Sequence, residues 1–340
     1  MRILVINPGS TSTKVAVYED ERPVLLRNIR HTADELQQYA TSFDQLPLRQ
    51  NKIVQTLEEE EIPFDFDAIV GRGGLTHPIP AGVYRVNAQM LHDTRTAIRQ
   101  HVCNLGCHIA AALASQIDHC EALIADPVIV DEMCAEARIC GSPNMARNSV
   151  WHALNQRATA RRHALAIGRR YEDLDLIVAH LGGGITIGVH HHGRTIDVNN
   201  GLDGEGPFSP ERAGTLPSSD LIRMCFSGEY TEEALLRFVG GKAGLMAWLG
   251  TSDTREILDR IESGDEEAKL IMDAMIYHIA KGIAAQAAVL CGRYDAILIT
   301  GGLAHAEYIT SRLRERVSFI APVHIYPGEN EMEALAENAL

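Results

Sequence analysis

The sequence has no surplus of basic charge and no long apolar run. Its 340 residues include 31 lysines and arginines against 45 aspartates and glutamates, which gives a net charge of −14. Nucleic acid and anionic membrane surfaces are bound through basic patches that release counterions, so we expect neither as a partner. The apolar runs are far shorter than the roughly 20 residues of a membrane span. The opening stretch MRILVINPGS lacks the pattern of a signal peptide, and we expect a cytoplasmic protein.

Cysteine is also scarce and shows no regular spacing. There are seven cysteines, which is an odd number, and no CxxC spacing is repeated. This pattern favours reduced, mostly buried thiols. The segment HVCNLGCH contains Cys103 and Cys107 between two histidines, but no second ligand pair follows, so we interpret it as the start of a helix and not as a zinc site. We likewise interpret the histidines at 190–192 as the solvated tip of a hairpin that ends in Gly193.

The length and the order of elements indicate two lobes. A typical domain has ~150 residues, and 46% of this chain is hydrophobic. Clusters of strands alternate with helical stretches over 88–100, 105–117, 149–170 and 266–291, which predicts an α/β chain with mixed sheets. A change in composition suggests a first lobe over 1–155, with the C-terminal helix 330–340 as a candidate to complete it, and a second lobe over 156–329. Asn330 and Glu333 fit a capping box for that helix.

The opening stretch ILVINPGSTSTKVAVY contains an unusual turn. Its flanks, Ile3–Ile6 and Val15–Tyr18, have the composition of strands. The turn is not a P-loop, because it lacks a second glycine and Lys14 enters a strand instead of a helix. Its hydroxyls, amides and ammonium could face a polyphosphate, with Asn7 near a metal ion or its water. Taken alone, such a turn would usually be a solvated surface hairpin.

A second stretch, LDLIVAHLGGGITIGV, repeats this plan in the other half of the chain. When the two are superposed, Asn7 falls on His180 and Gly9 on Gly182, which indicates a weak internal repeat. Three glycines, Gly182–Gly184, let backbone amides approach a ligand without interference from side chains. This second turn weakens the solvated-hairpin interpretation of the first.

A third element has the form of a nucleotide corner. Residues 296–300 are a short apolar strand, Gly301 and Gly302 follow it, and helix-forming residues come next. Free amides at the start of a helix favour negative charge, so this element predicts a phosphate or nucleotide contact.

These motifs resemble those of the acetate kinase family. NPGSTSTK is similar to its first signature and HLGGGIT to its second. The segments VGRGGLTHPIPAGVYRVN, ADPVIVDEM, WHALNQRATA, SPERAG and ILITGGLAHAEYI resemble the butyrate kinases of that family. The family belongs to the superfamily of sugar kinases, heat-shock ATPases and actin. The resemblance therefore implies two ribonuclease-H-like lobes, with mixed β-sheets flanked by helices and an active site in the cleft between the lobes.

The resemblance also implies a reaction, in which ATP and Mg²⁺ convert a short-chain carboxylate to an acyl phosphate. A carboxylic acid has a pKa of roughly 4.3, so the nucleophile is already ionised at neutral pH and needs no general base. Butyrate is the expected acid, and propionate and isobutyrate are alternatives. A regulatory ATPase of the same superfamily is an alternative of another class, which the paired arginines argue against. The family resemblance implies at least a homodimer.

The resemblance assigns roles to individual residues. Arg72 and Arg212 correspond to the arginines that hold the carboxylate and the transferring phosphoryl group. The expected catalytic residues are Arg72, Asp126, His180 and Arg212. The expected nucleotide-binding residues are Asn7, Ser10, Ser12, Lys14, Gly182, Gly183, Gly184, Arg255, Gly301 and Gly302. The expected magnesium-positioning residues are Asn7, Asp126 and Glu331.

Several of these residues also have purely structural interpretations. Asp126 could be a turn residue, and Glu331 could simply complement the helix dipole. Arg255 could form an ion pair in the first turn of a helix, and His180 could be a hydrogen-bonded residue at the end of a strand.

The sequence departs from the acetate kinase pattern at its histidines. His152 aligns with the second histidine of the acetate kinase HGTSH segment, whereas the first, which contacts the transition state there, falls near Asn148. Gly183 stands where acetate kinases have asparagine. These departures agree with a longer-chain acid as substrate. Arg147 is a hypothetical replacement for the missing charge.

Overall fold

The computed structural model describes residues 1–97 and 100–340. Their contacts divide the chain into unit 1, which comprises Met1–Asp131 and Asn330–Leu340, and unit 2, which comprises Glu132–Glu329. Residues 132–155, which we expected in the first lobe, lie with unit 2. There the amide of Cys134 donates to the carbonyl of Ile196.

Unit 1 is built on a six-stranded mixed sheet. Its strands are β1 (Arg2–Pro8), β2 (Ser12–Glu19), β3 (Arg22–Arg30), β4 (Ala68–Arg72), β5 (Val83–Arg85) and β6 (Glu121–Ala125). Their order is β3-β2-β1-β4-β6-β5, with β1, β4 and β6 parallel. The helices of unit 1 are α1 (Ala33–Gln37), α2 (Leu46–Glu59), α3 (Ala88–Thr96), α4 (Leu105–Ala114) and α13 (Glu331–Ala339).

The two faces of this sheet carry different residues, because successive side chains on a strand point to opposite faces. Leu4 and Ile6 of β1 pack in one hydrophobic core with Ile53 of α2 and Ile109 of α4. The opposite face carries Asn7 and is covered by α13. The final helix therefore lies over the face that presents the polar end of β1.

Unit 2 repeats this plan with a five-stranded mixed sheet. Its strands are β7 (Asp175–Leu181), β8 (Ile185–His191), β9 (Arg194–Val198), β10 (Ala296–Gly301) and β11 (Val323–Pro327), in the order β11-β10-β7-β8-β9. Its helices are α5 (Ala135–Arg138), α6 (Ala153–Ala166), α7 (Ser218–Cys225), α8 (Glu232–Gly241), α9 (Gly244–Leu249), α10 (Thr254–Glu262), α11 (Glu266–Ala287) and α12 (Glu307–Val317). One face of the sheet packs on α11 and α12, and the other packs on α6.

Both sheets confirm the predicted α/β fold and the internal repeat. In each unit a hairpin is followed by a third antiparallel strand, and parallel strands add to the other side of the first strand. Asn7 and His180 both occupy the next-to-last position of their strands, as the superposed motifs predicted. None of the helices in the described parts of the chain is long and apolar enough to cross a membrane.

Four local predictions differ from the structure. The thiols are not mostly buried, since two of the seven are buried and three are exposed. The histidines at 190–192 are not all solvated, since His190 is fully buried. The helix predicted over 88–100 ends at Thr96, and its positions 98 and 99 lie outside the described residues. The capping box predicted at Asn330 is wrong. This residue has a left-handed backbone with φ of 44° and its side chain makes no capping bond, whereas a capping side chain requires an extended backbone.

Candidate active site

Three predicted residues of unit 1 lie at one edge of its sheet. Asn7, Arg72 and Asp126 are at the carboxyl ends of β1, β4 and β6, which are adjacent and parallel. Ligands of open α/β sheets bind at this edge, outside the carboxyl ends of the strands. The strand order therefore brings together residues that are far apart in sequence.

Glu331 joins this edge from the start of α13. Its side chain is buried, and its Oε2 atom lies 2.9 Å from Nη1 of Arg72. The side-chain amide of Asn7 donates to the same oxygen at 2.5 Å. The arginine and the asparagine are thus fixed by one buried carboxylate.

Asp126 has a strained backbone. It is buried and has a φ of 37°, a region that non-glycine residues enter at a cost of about 1–3 kcal/mol. Two bonds to Gly82 hold it, since its amide donates to the Gly82 carbonyl and its Oδ1 accepts from the Gly82 amide, both at 2.9 Å. Such strain is typical of functional positions.

The opening turn is a tight hairpin. The amide of Gly9 donates to the carbonyl of Ser12 at 2.8 Å, and Lys14 lies opposite Asn7 in the register of β1 and β2. Residues directly opposite each other share a face of the sheet, so the side chains of this pair leave the sheet on the same side. Ser10 and Lys14 are exposed, and a ligand can reach both.

A residue that the sequence analysis missed supports this turn from inside unit 1. Arg49 of α2 is fully buried. Its guanidinium donates to the carbonyls of Ser12 at 3.1 Å and Ser10 at 3.5 Å, and to the hydroxyl of Thr13 at 2.9 Å. Burial lowers the pKa of Arg49 to about 10, so it is charged at neutral pH.

A sequence signal for this arginine did exist. Arg49, Ile53 and Leu57 follow one another at intervals of four residues, which places the arginine on the apolar stripe of an amphipathic helix. Next to it, Nε2 of His31 lies 2.8 Å from the Thr13 hydroxyl. Burial, with Arg49 and Lys52 nearby, lowers the pKa of His31 to about 4, so this imidazole is neutral at neutral pH.

In unit 2, His180 has a defined tautomer. The side-chain amide of Asn155 donates to the carbonyl of Glu329 at 2.7 Å, so its oxygen faces Nδ1 of His180, also at 2.7 Å. Because that oxygen can only accept, Nδ1 carries a proton. Nε2 lies on the side of Gly182. The ring of His152 stacks on that of His180, with centroids 3.7 Å apart.

Arg212 lies directly against the glycine turn. A β-carbon on Gly184 would lie 2.2 Å from its Nη1 atom, so a side chain at this position would displace the guanidinium. The same nitrogen donates to the Gly201 carbonyl at 2.6 Å. The turn and the arginine therefore form one packed group.

Ser209 closes this group and was not predicted. It is fully buried, and its hydroxyl donates to the carbonyl of Gly183 at 2.6 Å and accepts from the amide of Arg212 at 3.0 Å. The sequence signal that could have identified Ser209 was its position as the first residue of the SPERAG segment. Within the turn, the amide of Gly182 donates to the carbonyl of Gly184 at 3.1 Å.

The nucleotide corner of unit 2 is next to this turn. Thr300 is paired with His180 in the register of β10 and β7, which places Gly301 beside the end of β7. Gly301 has a φ of 92°, and a β-carbon there would lie 2.3 Å from the Leu181 carbonyl, so glycine is required. Gly302 is exposed and begins a short 3-10 turn, and α12 starts only at Glu307.

Arg255 is an exposed residue in the first turn of α10. Its amide donates to the side chain of Asp253, which caps the helix. The loop that precedes α10 contacts the loop that carries Arg212, since the hydroxyl of Ser252 donates to Glu211 at 3.3 Å. The adenosine contact predicted for Arg255 stays a prediction.

Comparisons with known proteins identify the family of the chain. A model described as the acetokinase family matches residues 146–331. The whole chain is 59% identical to a probable butyrate kinase of Bacteroides thetaiotaomicron and 47% identical to butyrate kinase 1 of Clostridium acetobutylicum, and it covers 96% of each. The chain belongs to the acetokinase family. As an acetokinase it is an ATP-using phosphotransferase that acts on a carboxyl group.

The acetokinase fold extends over the whole chain. The crystal structure of acetate kinase from Porphyromonas gingivalis superposes with a TM-score of 0.81 and 17% sequence identity, covering 99% of this chain and 98% of that one. At this identity the likeness establishes the fold alone.

In this acetokinase, Arg147 takes part in a structural network. Its guanidinium lies 3.0 Å from Asp197 and 3.3 Å from Glu205, and it donates to the carbonyls of Ala137 and Val198. Burial would lower the pKa of Arg147, but the two carboxylates outweigh it and raise the pKa. These contacts give Arg147 a structural role and do not support the hypothesis that it replaces a catalytic histidine.

Proposed function

We propose that the chain transfers the γ-phosphoryl group of ATP to butyrate, which yields ADP and butanoyl phosphate. The observation that carries this proposal is the Arg212 guanidinium packed against Gly184 in unit 2. An arginine held beside a glycine turn by a hydrogen bond to Gly201 is suited to a phosphoryl group in transfer. The substrate is inferred from the relatives, which are named for butyrate.

The reaction needs charge neutralisation more than proton transfer. An oxygen of the butyrate carboxylate attacks the γ-phosphorus, and the bond from that phosphorus to the bridging oxygen breaks. ADP leaves with the electron pair, and no proton has to move because the acid is already ionised. The obstacle is the approach of one anion to another, which cations and fixed geometry overcome.

In unit 2 we assign the phosphoryl group to Arg212 and the phosphates to the glycine turn. His180 would face the phosphates through Nε2, because Nδ1 is committed to Asn155. Gly301 and Gly302 would border the nucleotide, since they follow β10 next to the turn. Ser209 would hold Arg212 and the turn in register with each other.

In unit 1 we assign the acid to Arg72, whose guanidinium is oriented by Glu331. Ser10, Ser12 and Lys14 would contact phosphate oxygens from the opening turn. Arg49 would keep the carbonyls of that turn directed inward.

Magnesium fits the oxygen atoms at the same edge of unit 1. The carboxylates of Asp126 and Glu331 and the amide oxygen of Asn7 are hard donors from buried residues, and magnesium is usually held by one or two carboxylates together with substrate phosphates. These three residues would hold the ion or its waters. When bound, it neutralises phosphate charge.

We also propose that the protein acts as a homo-oligomer. Large apolar side chains are exposed in unit 2, among them Phe226, Leu236 and Trp248, and a subunit contact would bury apolar surface of this kind. Light scattering after size-exclusion chromatography would measure the mass, and a monomer at assay concentration would contradict this proposal.

A trapping assay tests the proposed reaction. The protein is incubated with ATP, Mg²⁺ and hydroxylamine and one acid from the series acetate, propionate, butyrate, isobutyrate and valerate. Acyl phosphate reacts with hydroxylamine to give a coloured iron–hydroxamate complex, and we expect the highest kcat/KM with butyrate. A maximum at propionate or isobutyrate would support those acids instead. ATP hydrolysis without hydroxamate from any acid would indicate a regulatory ATPase.

A further inference from the structure

The β7–β8 hairpin brings three metal-ligating side chains together at the end opposite its glycine turn. Asp175 begins β7, His191 ends β8, and the two are paired in the register of the strands. His192 follows with a left-handed φ of 50°. Nδ1 of His191 lies 2.6 Å from Oδ1 of Asp175, and Nε2 of His192 lies 3.8 Å from the same oxygen.

These three ligand atoms form a compact group. All lie within 4.8 Å of one another, and this is the one such group of three histidine, cysteine or acidic residues in the described ranges 1–97 and 100–340. None of the three takes part in the active site assigned above. The solvated-tip interpretation of the histidine run is wrong for His190, which is buried. For His191 and His192 it explains the exposure but not the convergence on one carboxylate.

The spacing of the ligands is close to what a tetrahedral ion needs. Zinc binds nitrogen and oxygen at about 2.0–2.2 Å, so neighbouring ligand atoms lie about 3.4 Å apart. The observed distances of 2.6 and 3.8 Å fall on either side of this value, and small side-chain rotations would equalise them. Two imidazoles and one carboxylate suit zinc, copper or nickel better than magnesium.

We propose that Asp175, His191 and His192 bind one divalent transition-metal ion, with Zn²⁺ as the expected ion and water as the fourth ligand. The three side chains are 25%, 42% and 59% exposed, so an ion can enter from solvent.

The backbone around the carboxylate is held by a hydrogen bond. The amide of Asp175 donates to Asp295 at 2.8 Å, and Asp295 is paired with Arg169. Arg194 lies opposite His191 on β9, where neighbouring β-carbons are about 4.5–5.5 Å apart, and its charge opposes a cation. Removal of the charge of Arg194 should therefore tighten the binding of zinc.

The test is a zinc titration of the full chain after treatment with EDTA and removal of the chelator. Calorimetry is performed with excess Mg²⁺ and without nucleotide, so that the proposed magnesium site is occupied and no other chelator competes for zinc. We expect one Zn²⁺ per chain, at least tenfold weaker binding in Asp175→Asn and His192→Asn, and tighter binding in Arg194→Ala. His119→Asn is the matched control, because His119 is an exposed histidine 3.4 Å from one carboxylate, Asp65. It should bind zinc like the parent.

Thermal unfolding separates metal binding from a simple ion pair. Zinc should raise the Tm of the parent and of His119→Asn, but not that of His192→Asn, while all three have a similar Tm in EDTA. The hydroxamate assay should give the same kcat for all of them, so failure of this proposal leaves the proposed kinase activity untouched. Absence of stoichiometric zinc binding by the parent would overturn the proposal, as would an equal zinc-induced rise in Tm in His192→Asn.

Discussion

The hairpins β1–β2 and β7–β8 occupy equivalent places in their sheets but carry different turns. In both, the first strand is followed by two antiparallel strands on one side and parallel strands on the other. The turn of unit 1 presents hydroxyls and an ammonium and is supported from inside by buried Arg49. The turn of unit 2 presents glycine backbone, against which Arg212 packs.

This difference shows how one topology serves two chemical purposes. The strand order determines where a polar residue at the end of the first strand will lie, as Asn7 and His180 illustrate. The turn that follows determines which groups a ligand meets. We therefore expect substitutions in unit 2 to act mainly on kcat and those in unit 1 to act on binding and stability.

The largest effect is expected for Arg212→Ala. Loss of a cation that acts on the transferring phosphoryl group should lower kcat by about 10²–10³-fold, or ~3–4 kcal/mol, with little change in the KM for ATP. Steady-state hydroxamate kinetics measure both values. Arg223→Ala is the control, because Arg223 is an exposed arginine paired with Asp220 in α7. An unchanged kcat in Arg212→Ala would refute the assigned role.

Glu331→Gln tests the polar edge of unit 1. The change removes the charge that fixes Arg72, and we expect a loss of stability of about 1–3 kcal/mol and a higher KM for the acid. Urea unfolding and butyrate saturation curves measure these changes. Glu333→Gln, an exposed residue of the same helix turn, is the control. If both variants behave alike, Glu331 has no special role in the site.

Arg49→Met tests the internal support of the opening turn. Three carbonyl and hydroxyl oxygens lose their charged donor, which should cost about 2–3 kcal/mol of unfolding free energy. The KM for ATP should also rise several-fold in the folded enzyme, because Ser10 and Ser12 are no longer fixed. Arg27→Met removes an exposed arginine paired with Glu60 and should have neither effect. A loss of stability without any change in the KM for ATP would show that Arg49 has only a structural role.

The smallest effect near neutral pH concerns His31. Burial lowers its pKa to about 4, whereas the unfolded chain has a histidine pKa of about 6.5. As the pH falls, the unfolded state therefore binds a proton before the folded state does. The contribution of His31 to stability is complete above pH 6.5 and is lost as the pH falls towards 4. Buried His190 of unit 2, with a pKa of about 3, acts in the same direction. His31→Gln should flatten the pH dependence of urea unfolding, and exposed His305→Gln should leave it unchanged.

The sequence could predict those parts of the molecule that local patterns determine. The alternating strands on either side of each turn, and the glycine run at Gly182–Gly184, are local signals, and the structure follows them. Arg49 was missed because an arginine in a helix is normally solvated, and only its tertiary contacts with the turn carbonyls reveal its burial. The unit boundary near Glu132 depends on bonds to β9 that no local pattern contains.

The measurement that tests the central claim most directly compares alanine substitutions at Gly184 and Gly183. A β-carbon on Gly184 would lie 2.2 Å from Arg212, whereas one on Gly183 would be 3.4 Å from its nearest neighbour, a Glu211 oxygen. Displacement of a catalytic group by about 1 Å can cost 10²-fold in rate. We expect Gly184→Ala to lower kcat by about that factor while its Tm stays near that of the parent, and Gly183→Ala to retain most of its activity. Equal kcat values for the two variants would contradict the account.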